Sequence, residues 1–137
     1  MSGYSGTPLP AKLGIKPSHR VALLGAPAGF DATLGDLPDG VAVRRDLRGT
    51  RPLDVILLFA VWRPELVQGI ERARVRMAAN AGLWVAWPKR AAKLATDLTE
   101  DTVRDVALPT GLVDNKVCAI DEVWSGLRLV IRRELRG

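Results

Sequence analysis

One run of eight residues constrains the fold of this chain more than any other. Residues 54–61 read Asp-Val-Ile-Leu-Leu-Phe-Ala-Val, and every side chain after the first is apolar. A strand with one face in water alternates apolar and polar residues, whereas a strand buried on both faces does not. The run therefore predicts a central strand of a parallel sheet, with helices packed on both faces.

The segments on either side supply the rest of such a sheet. Further apolar runs predict strands at residues 20–25, 41–47, 83–87, 112–120 and 127–133. The last two runs are separated by six residues, which are too few for a parallel crossover. We predict an α/β fold: a single open, mostly parallel Rossmann-like sheet with helices on both faces and a C-terminal antiparallel hairpin.

The longest helix is predicted directly after the central strand. Leu66, Ile70, Ala73 and Met77 recur at helical spacing and indicate one buried face. Gly82 suits a left-handed cap that would end this helix.

Two shorter helices are predicted from their first residues. Asp31 is a candidate N-cap for a short helix over residues 31–37. Thr99 is an N-cap followed by two acidic residues, which favour the positive end of the helix dipole.

The N-terminal segment differs in composition from the rest of the chain. Residues 1–18 contain three glycines and three prolines, which disfavour helices and central strands. We predict a flexible N-terminal tail over residues 1–18 and a single α/β domain over residues 19–137, since a chain of 137 residues is commonly one domain.

The formal net charge of +5 would favour an anionic partner, such as a nucleic acid, a phosphate or an acidic protein. The arginines are spread along the chain without a dense run, which indicates a solvated surface instead. Nucleic acid is therefore considered as a partner but not favoured.

The single cysteine, Cys118, excludes an internal disulfide and fits a reducing compartment. Its apolar neighbours indicate a packing role. No segment resembles a signal peptide, and no apolar run reaches the ~20 residues of a membrane-spanning helix. We expect a cytoplasmic protein with no membrane partner.

The loop after the first predicted strand is the first candidate ligand site. Gly25, Pro27 and Gly29 lie where open α/β sheets bind ligands, at the carboxyl ends of the strands. Backbone N–H groups of this loop could bind a phosphate or a carboxylate. The alternative is that the glycines serve only turn geometry.

Two further segments reach the same edge of the predicted sheet. Trp87 could stack on a ligand ring and Lys89 could neutralise an anion. Asp121, Trp124 and Ser125 could face Lys89 from the hairpin turn. In the alternative, both tryptophans are packing anchors and Ser125 is a turn residue.

No catalytic constellation is completed by these residues. Residues 114–116 begin a strand roughly 20 Å from its far end, so we assign them to the opposite edge. The chain has one histidine and one cysteine, and it shows no Ser–His pair, Cys–His pair or metal-ligand cluster. Catalytic residues are unassigned, and no metal site is predicted.

From residue 54 onward, the order of segments resembles the second half of a class I methyltransferase. An Asp-Val-Ile-Leu-Leu strand, an amphipathic helix, a Gly-Leu-Trp-Val strand and a C-terminal hairpin follow one another. The resemblance implies S-adenosylmethionine as the cofactor, held by the loop at Gly25 and by Asp46, the acidic residue at the end of the second strand. The chain departs from that pattern in Pro27, in a first strand without an acidic residue, and in a very short following helix.

A second resemblance covers most of the chain. The segments resemble a bacterial family filed as domain of unknown function family 3052, at residues 21–30, 46–49, 83–89, 96–101 and 114–128. Trp-Val-Ala-Trp-Pro-Lys and Asp-Asn-Lys-Val-Cys-Ala are its most specific stretches. This resemblance implies no activity.

The leading hypothesis is a non-catalytic binding module for a protein or a small anionic ligand at the carboxyl-end crevice. Loops typical of a site, without a catalytic constellation, favour it over an enzyme. One alternative is a degenerate S-adenosylmethionine-dependent methyltransferase-like enzyme that uses Asp46 and the loop at Gly25. The other is a weak nucleic-acid binder through an arginine-rich surface.

Overall fold

The computed structural model describes residues 6–136, which form a six-stranded sheet and four α-helices. The strands are β1 (Arg20–Leu24), β2 (Ala42–Arg44), β3 (Leu53–Phe59), β4 (Met77–Pro88), β5 (Leu112–Ala119) and β6 (Trp124–Ile131). The helices are α1 (Leu9–Leu13), α2 (Phe30–Leu34), α3 (Arg63–Arg74) and α4 (Glu100–Ala107).

The sheet has the strand order β2-β1-β3-β4-β6-β5. Strands β2, β1, β3 and β4 are parallel, whereas β6 is antiparallel to both β4 and β5. The predicted mostly parallel sheet with a C-terminal antiparallel hairpin is therefore confirmed. The carboxyl ends of β1 to β5 meet the start of β6 at one edge, which we call the carboxyl edge.

Each face of the sheet is covered by its own hydrophobic core. Helices α3 and α4 cover one face, where Leu66 and Ile70 are fully buried. Helices α1 and α2 cover the other face, where Leu13 and Phe30 are buried. Burial of one such side chain stabilises the fold by about 1.5–3 kcal/mol, so the helices on each face contribute to the stability of the sheet.

The described part of the predicted tail packs against the sheet. Helix α1 forms with Pro10 in its first turn, a position that tolerates proline because the missing N–H has no partner there. Leu13 and Ile15 are buried, and the indole N–H of Trp84 donates to the carbonyl oxygen of Leu13 at 3.0 Å. The flexibility of residues 1–18 stays a prediction, and residues 1–5 lie outside the described residues.

Helix α3 ends earlier than its apolar repeat predicted. Its last residue is Arg74, and Met77 already belongs to β4, where it pairs with Leu53. Gly82 does not cap the helix but lies within β4, where a Cβ atom would come within 2.6 Å of Nε of Arg128. Pairing with β3 therefore overrides the helical spacing at this point.

The predicted N-cap residue is wrong for helix α2 and correct for helix α4. Helix α2 begins at Phe30 with Gly29 as its N-cap residue at φ 83°, so Asp31 is not the cap. The carboxylate of Asp31 instead accepts hydrogen bonds from the guanidinium of Arg45 at 2.9 Å. Thr99 caps α4 as predicted, because its hydroxyl oxygen accepts a backbone N–H of the first turn at 3.2 Å.

Candidate functional site

A cleft of about 360 Å³ opens at the carboxyl edge between β1, β2, β3 and α3. We call it the β1–β3 cleft. It is lined by Leu24, Gly25, Arg45, Asp46, Leu47, Leu58, Phe59, Glu65, Gln68, Gly69 and Arg72. Its volume lies within the ~300–1,000 Å³ typical of small-molecule sites. Two of the predicted site residues, Gly25 and Asp46, are brought together there.

Two glycines let the walls of this cleft approach each other closely. Gly25 has φ 70°, and a Cβ atom there would lie 3.2 Å from the carbonyl oxygen of Phe59. A Cβ atom on Gly69 would lie 2.6 Å from Cδ2 of Leu58, so α3 packs tightly over β3. A larger residue at Gly25 would be strained by its backbone as well as by the contact.

Asp46 lies on the polar rim of the cleft. Its Oδ1 accepts the backbone N–H of Arg48 at 3.0 Å and Nη2 of Arg44 at 3.1 Å. The hydrogen bond from Arg48, followed by that from Arg44, lowers the pKa of Asp46 below its ordinary value against the opposing effect of desolvation. Asp46 is therefore ionised at neutral pH, and within residues 6–136 its Oδ2 accepts no hydrogen bond.

Two other charged side chains at the rim already have partners. Arg45 forms an exposed ion pair with Asp31 at 2.9 Å. Glu65 accepts the backbone N–H groups of Val61 and Trp62 through Oε1, at 3.1 and 3.0 Å, and so caps the start of α3. These bonds engage the carboxylates of Asp31 and Glu65, so neither of these groups is placed as a general base.

The wall formed by α3 was not predicted from the sequence as part of a site. It contributes Glu65, Gln68 and Arg72 to the cleft. The helical spacing did contain a signal, since these residues fall on the side of α3 opposite Leu66 and Ile70. The sequence does not give the strand order, so this side of α3 could not be distinguished from an ordinary solvent-exposed face.

The segments from β4 and β6 meet at the same edge, as their predicted strand directions required. Trp87 pairs with Ser125 across the two strands. The backbone N–H of Lys89 donates to the carbonyl oxygen of Val123 at 2.7 Å. Trp87 is buried, whereas Lys89 is partly exposed.

Asp121 and Trp124 have partners within the protein. Oδ1 of Asp121 accepts the backbone N–H of Trp124 at 2.8 Å and so closes the hairpin turn. The Trp124 ring packs edge-on against Phe59 with centroids 5.1 Å apart, and Phe59 packs against Phe30 at 4.9 Å. Because Phe59 also lines the β1–β3 cleft, these rings connect the hairpin to the cleft.

The remaining predicted residues lie farther from the cleft. Pro27 and Gly29 form the turn before α2 and do not line the β1–β3 cleft. Asp114 lies at the opposite edge of the sheet, where its Oδ2 accepts a hydrogen bond from Nε of Arg104 at 2.9 Å. The sequence-based separation of residues 114–116 from the crevice thus agrees with the strand directions.

A second cleft, of about 440 Å³, lies beside the first between β4 and α4. We call it the β4–α4 cleft. It is lined by Trp87, Pro88, Arg90, Leu94, Thr96, Leu98, Thr99 and Glu100. Most of these residues belong to the connection between β4 and α4, which places an irregular, partly exposed segment at the carboxyl edge.

Other chemistry-bearing features are limited in the part of the chain that the structure describes. Burial raises the pKa of the Cys118 thiol, which opposes formation of a nucleophilic thiolate. Residues 6–136 contain no group of three His, Cys, Asp or Glu side chains that could hold a metal ion. None of their helices is long and apolar enough to cross a membrane.

Many solved structures share the fold of this chain. No protein-family model matches the chain, and no curated protein sequence matches it significantly. A SAM-dependent methyltransferase from Aquifex aeolicus matches with a TM-score of 0.59 and 16% identity, over 88% of this chain and 87% of its own. The ribosomal protein L11 methylase of Lactobacillus delbrueckii subsp. bulgaricus matches with a TM-score of 0.61 and 10% identity, over 91% of this chain and 75% of its own.

A fibrillarin from Aeropyrum pernix, solved with natively bound S-adenosyl-L-methionine, also has this fold. It matches with a TM-score of 0.59 and 12% identity, over 94% of this chain and 71% of its own. These neighbours confirm the methyltransferase-like Rossmann fold that the order of segments resembled. The resemblance to domain of unknown function family 3052 is not confirmed.

The leading hypothesis of a non-catalytic binding module is wrong. The structural neighbours include a methylase, a SAM-dependent methyltransferase and a fibrillarin with bound S-adenosyl-L-methionine, and they favour the methyltransferase-like alternative instead. The hypothesis rested on the missing Ser–His pair, Cys–His pair and metal-ligand cluster, and the absence of these groups does not exclude an enzyme. At 10 to 16% identity the likeness establishes the fold alone, so an activity must be argued from the residues of the cleft.

Proposed function

We propose that this protein is an S-adenosylmethionine-dependent methyltransferase-like enzyme that binds its cofactor in the β1–β3 cleft. One observation carries the proposal: a cleft of ligand size joins the loop at Gly25 to Asp46 at the carboxyl edge of a methyltransferase-like sheet. In open α/β sheets ligands bind outside the carboxyl ends of the strands.

The cleft fits the nucleoside half of this cofactor. The ionised carboxylate of Asp46 can accept hydrogen bonds from ribose hydroxyls, and its Oδ2 is the oxygen without a bond among the described residues. Leu47, Leu58 and Phe59 supply apolar wall for an adenine ring.

The cleft also suits the amino-acid half, which carries an ammonium and a carboxylate. The α3 wall presents Glu65 and Arg72, one charge of each sign. The backbone at Gly25 has no side chain to keep a ligand away. Helix α2 has only five residues, so binding would depend on the loop and the rim side chains rather than on a helix dipole.

When bound, the cofactor would supply an electrophilic methyl group. The protein's own contribution would be to bind and orient the two reactants, which can supply a large part of the rate enhancement without a covalent intermediate. Asp46 holds the cofactor in this assignment, and Glu65 stays engaged with the backbone at the start of α3. The acceptor must therefore be a nucleophile at neutral pH or bring its own base.

Isothermal titration with S-adenosylmethionine tests this assignment. We expect saturable heat for the wild-type protein and an affinity about tenfold weaker for Asp46→Asn, because a hydrogen bond to a charged group contributes ~1.5–3 kcal/mol. The matched control is Asp36→Asn, which removes an exposed carboxylate outside the cleft and should leave the affinity unchanged. Absence of heat at high-micromolar cofactor would remove the proposal.

We also propose that the chain is a cytoplasmic member of domain of unknown function family 3052. The specific stretches at residues 84–89 and 114–119 support the membership, and the single cysteine fits a reducing compartment. An alignment with that family in which both stretches keep their positions checks the membership, and a fluorescent fusion imaged in cells checks the location.

A further inference from the structure

The segment that carries the exposed Trp62 is hydrogen-bonded to a connection that carries several cations, and we propose that together they form a surface that binds single-stranded nucleic acid. We call it the Trp62 patch, and it consists of Trp62, Arg63, Lys89, Arg90 and Lys93. The inference rests on the proposed methyltransferase function and deepens it, because it names the class of acceptor.

Two segments of the chain meet to form this patch. The hydroxyl of Thr96 donates to the carbonyl oxygen of Val61. The backbone N–H of Arg63 donates to Oδ1 of Asp97 at 2.8 Å. These bonds fasten residues 96–97 of the connection between β4 and α4 against residues 61–63 at the start of α3. Lys93 lies three residues before Thr96 in this fastened connection.

Trp62 differs from the other tryptophans in its exposure. Trp62 is 46% exposed, whereas Trp84 and Trp87 are buried within the two cores. Trp124 is partly buried and packs against Phe59. An exposed indole is a platform on which a nucleic-acid base can stack, an interaction that contributes ~1–3 kcal/mol per base.

The cations of the patch are not neutralised by the protein. Among the described residues, the side chains of Arg63, Lys89, Arg90 and Lys93 form no ion pair or hydrogen bond. Arg63, Arg90 and Lys93 are exposed, and Lys89 is partly exposed.

Three carboxylates near the patch are fixed by bonds to other groups. Glu65 accepts two backbone N–H groups at the start of α3, and Asp97 accepts the N–H of Arg63. Glu100 forms an ion pair with Arg104 on α4. Glu65 and Asp97 keep their negative charge, because their partners are neutral backbone N–H groups, but the four cations of the patch outnumber them. An excess of positive charge suits the regularly spaced phosphates of a nucleic-acid strand.

The position of the patch connects it to both clefts. Glu65, which holds the backbone N–H of Trp62 at 3.0 Å, also lines the β1–β3 cleft. Arg90 and Leu94 line the β4–α4 cleft, and Leu94 is 52% exposed. A strand on the Trp62 patch would thus lie next to the proposed methyl donor.

The combination of ring and cations favours a nucleic acid over an acidic protein. Phosphates alternate with flat bases along a single strand, so one ligand can occupy the cations and cover Trp62 at once. An acidic peptide would engage Arg90 and Lys93 and leave Trp62 without a stacking partner. Duplexes hide the faces of their bases, so single strands are expected to bind better.

Fluorescence anisotropy with a labelled oligouridylate of about 12 nucleotides tests the inference. We expect Trp62→Ala to weaken binding about tenfold through loss of base stacking. We expect Arg90→Gln with Lys93→Gln to lower the slope of log affinity against log salt by about 1.4 between roughly 50 and 200 mM, since each phosphate contact contributes ~0.7 for single strands.

The matched control is Arg132→Gln with Arg133→Gln. It removes the same charge from exposed positions that follow β6, at the opposite edge of the sheet. We expect it to leave the salt slope nearly unchanged. Equal losses from both double variants would show non-specific attraction and overturn the inference.

Two further outcomes would also overturn it. The first is absence of oligouridylate binding at about 50 mM salt. The second is oligouridylate binding that Trp62→Ala does not weaken and that polyglutamate displaces as well as unlabelled oligouridylate does. Cofactor titration on the same preparations separates the two proposals, because cofactor binding without oligonucleotide binding removes only this inference. Oligonucleotide binding without cofactor binding keeps the patch and removes the methyltransferase assignment, together with the acceptor role.

Discussion

The two edges of the sheet use their charged side chains in different ways. At the edge opposite the clefts, the guanidinium of Arg76 is 7% exposed and donates to the carbonyl oxygens of Leu47, Arg48 and Arg51. At the carboxyl edge, the side chain of Arg90, in a short 3-10 helix after β4, has no partner among the described residues. The buried guanidinium of Arg76 thus stabilises the scaffold at one edge, whereas the exposed guanidinium of Arg90 at the other makes no bond within residues 6–136.

The comparison also shows how one edge supports the other. The three carbonyl groups bound by Arg76 belong to the connection between β2 and β3. The start of that connection contributes Arg45, Asp46 and Leu47 to the β1–β3 cleft. Arg76 therefore fixes a wall of the cleft from the far side of the sheet.

The largest effect that would test this comparison is expected from Arg76→Met. The substitution removes the guanidinium donors of three part-buried carbonyl oxygens, each bond contributing ~1 kcal/mol, so we expect a loss of about 3 kcal/mol in the free energy of unfolding. Urea denaturation measures it, with the exposed Arg133→Met as the control at under ~0.5 kcal/mol. A loss for Arg76→Met no larger than that of the control would mean that this edge does not hold the connection.

A smaller effect is expected from the two glycines of the loop after β1. Gly25→Ala combines a φ of 70° with a 3.2 Å approach to the carbonyl oxygen of Phe59, and we expect a loss of about 2 kcal/mol. Gly29→Ala meets no atom within 4 Å at φ 83°, so only the backbone cost of about 1 kcal/mol remains. Guanidinium denaturation compares the two, and equal losses would show that contact with β3 does not constrain the loop.

The smallest effect concerns the ion pair at the opposite edge. The hydrogen bond from Arg104 holds the pKa of Asp114 below its ordinary value, against the opposing effect of desolvation. A carboxyl group with a lowered folded-state pKa contributes stability above its unfolded pKa of about 3.9, and this is lost as pH falls through the folded pKa. We therefore expect Asp114→Asn to lose less stability than wild type on going from about pH 5 to about pH 2.

Urea midpoints across that pH range measure the difference, with Asp105→Asn on the exposed side of α4 as the control. The expected difference is modest because both partners are partly exposed and solvent screens the pair. Identical acid dependence in wild type and Asp114→Asn would show that the pair does not affect acid stability.

Much of the fold could be predicted from local patterns. The unbroken apolar run at β3 required burial on both faces, and the short connection before β6 required an antiparallel hairpin. Thr99 marked the start of α4 because capping depends on only a few neighbouring residues.

Other elements depended on contacts between distant parts of the chain. Helix α1 forms in a segment rich in proline and glycine because Leu13 is buried and its carbonyl oxygen binds the indole of Trp84. Met77 fits a helical repeat but joins β4 because Leu53 pairs with it. Local spacing cannot anticipate either partner.

The candidate site was predicted only in part for the same reason. Gly25 and Asp46 could be assigned to the carboxyl edge, because strands β1 and β2 were visible in the sequence. The wall from α3 and the exposure of Trp62 could not, since a polar helix face and a tryptophan after a strand have the same sequence signals whether solvated or lining a cleft.

The sequence by itself therefore determined the central part of each strand, which two strands form the hairpin, and that charged and aromatic residues follow the strand ends. These properties arise from periodicity and short connections, which act over a few residues. Only the tertiary structure decided that β1, β2, β3 and α3 enclose one cleft and that the Trp62 patch lies beside it. Strand order and helix packing bring together residues far apart in the chain, so the cleft exists only once the sheet is assembled.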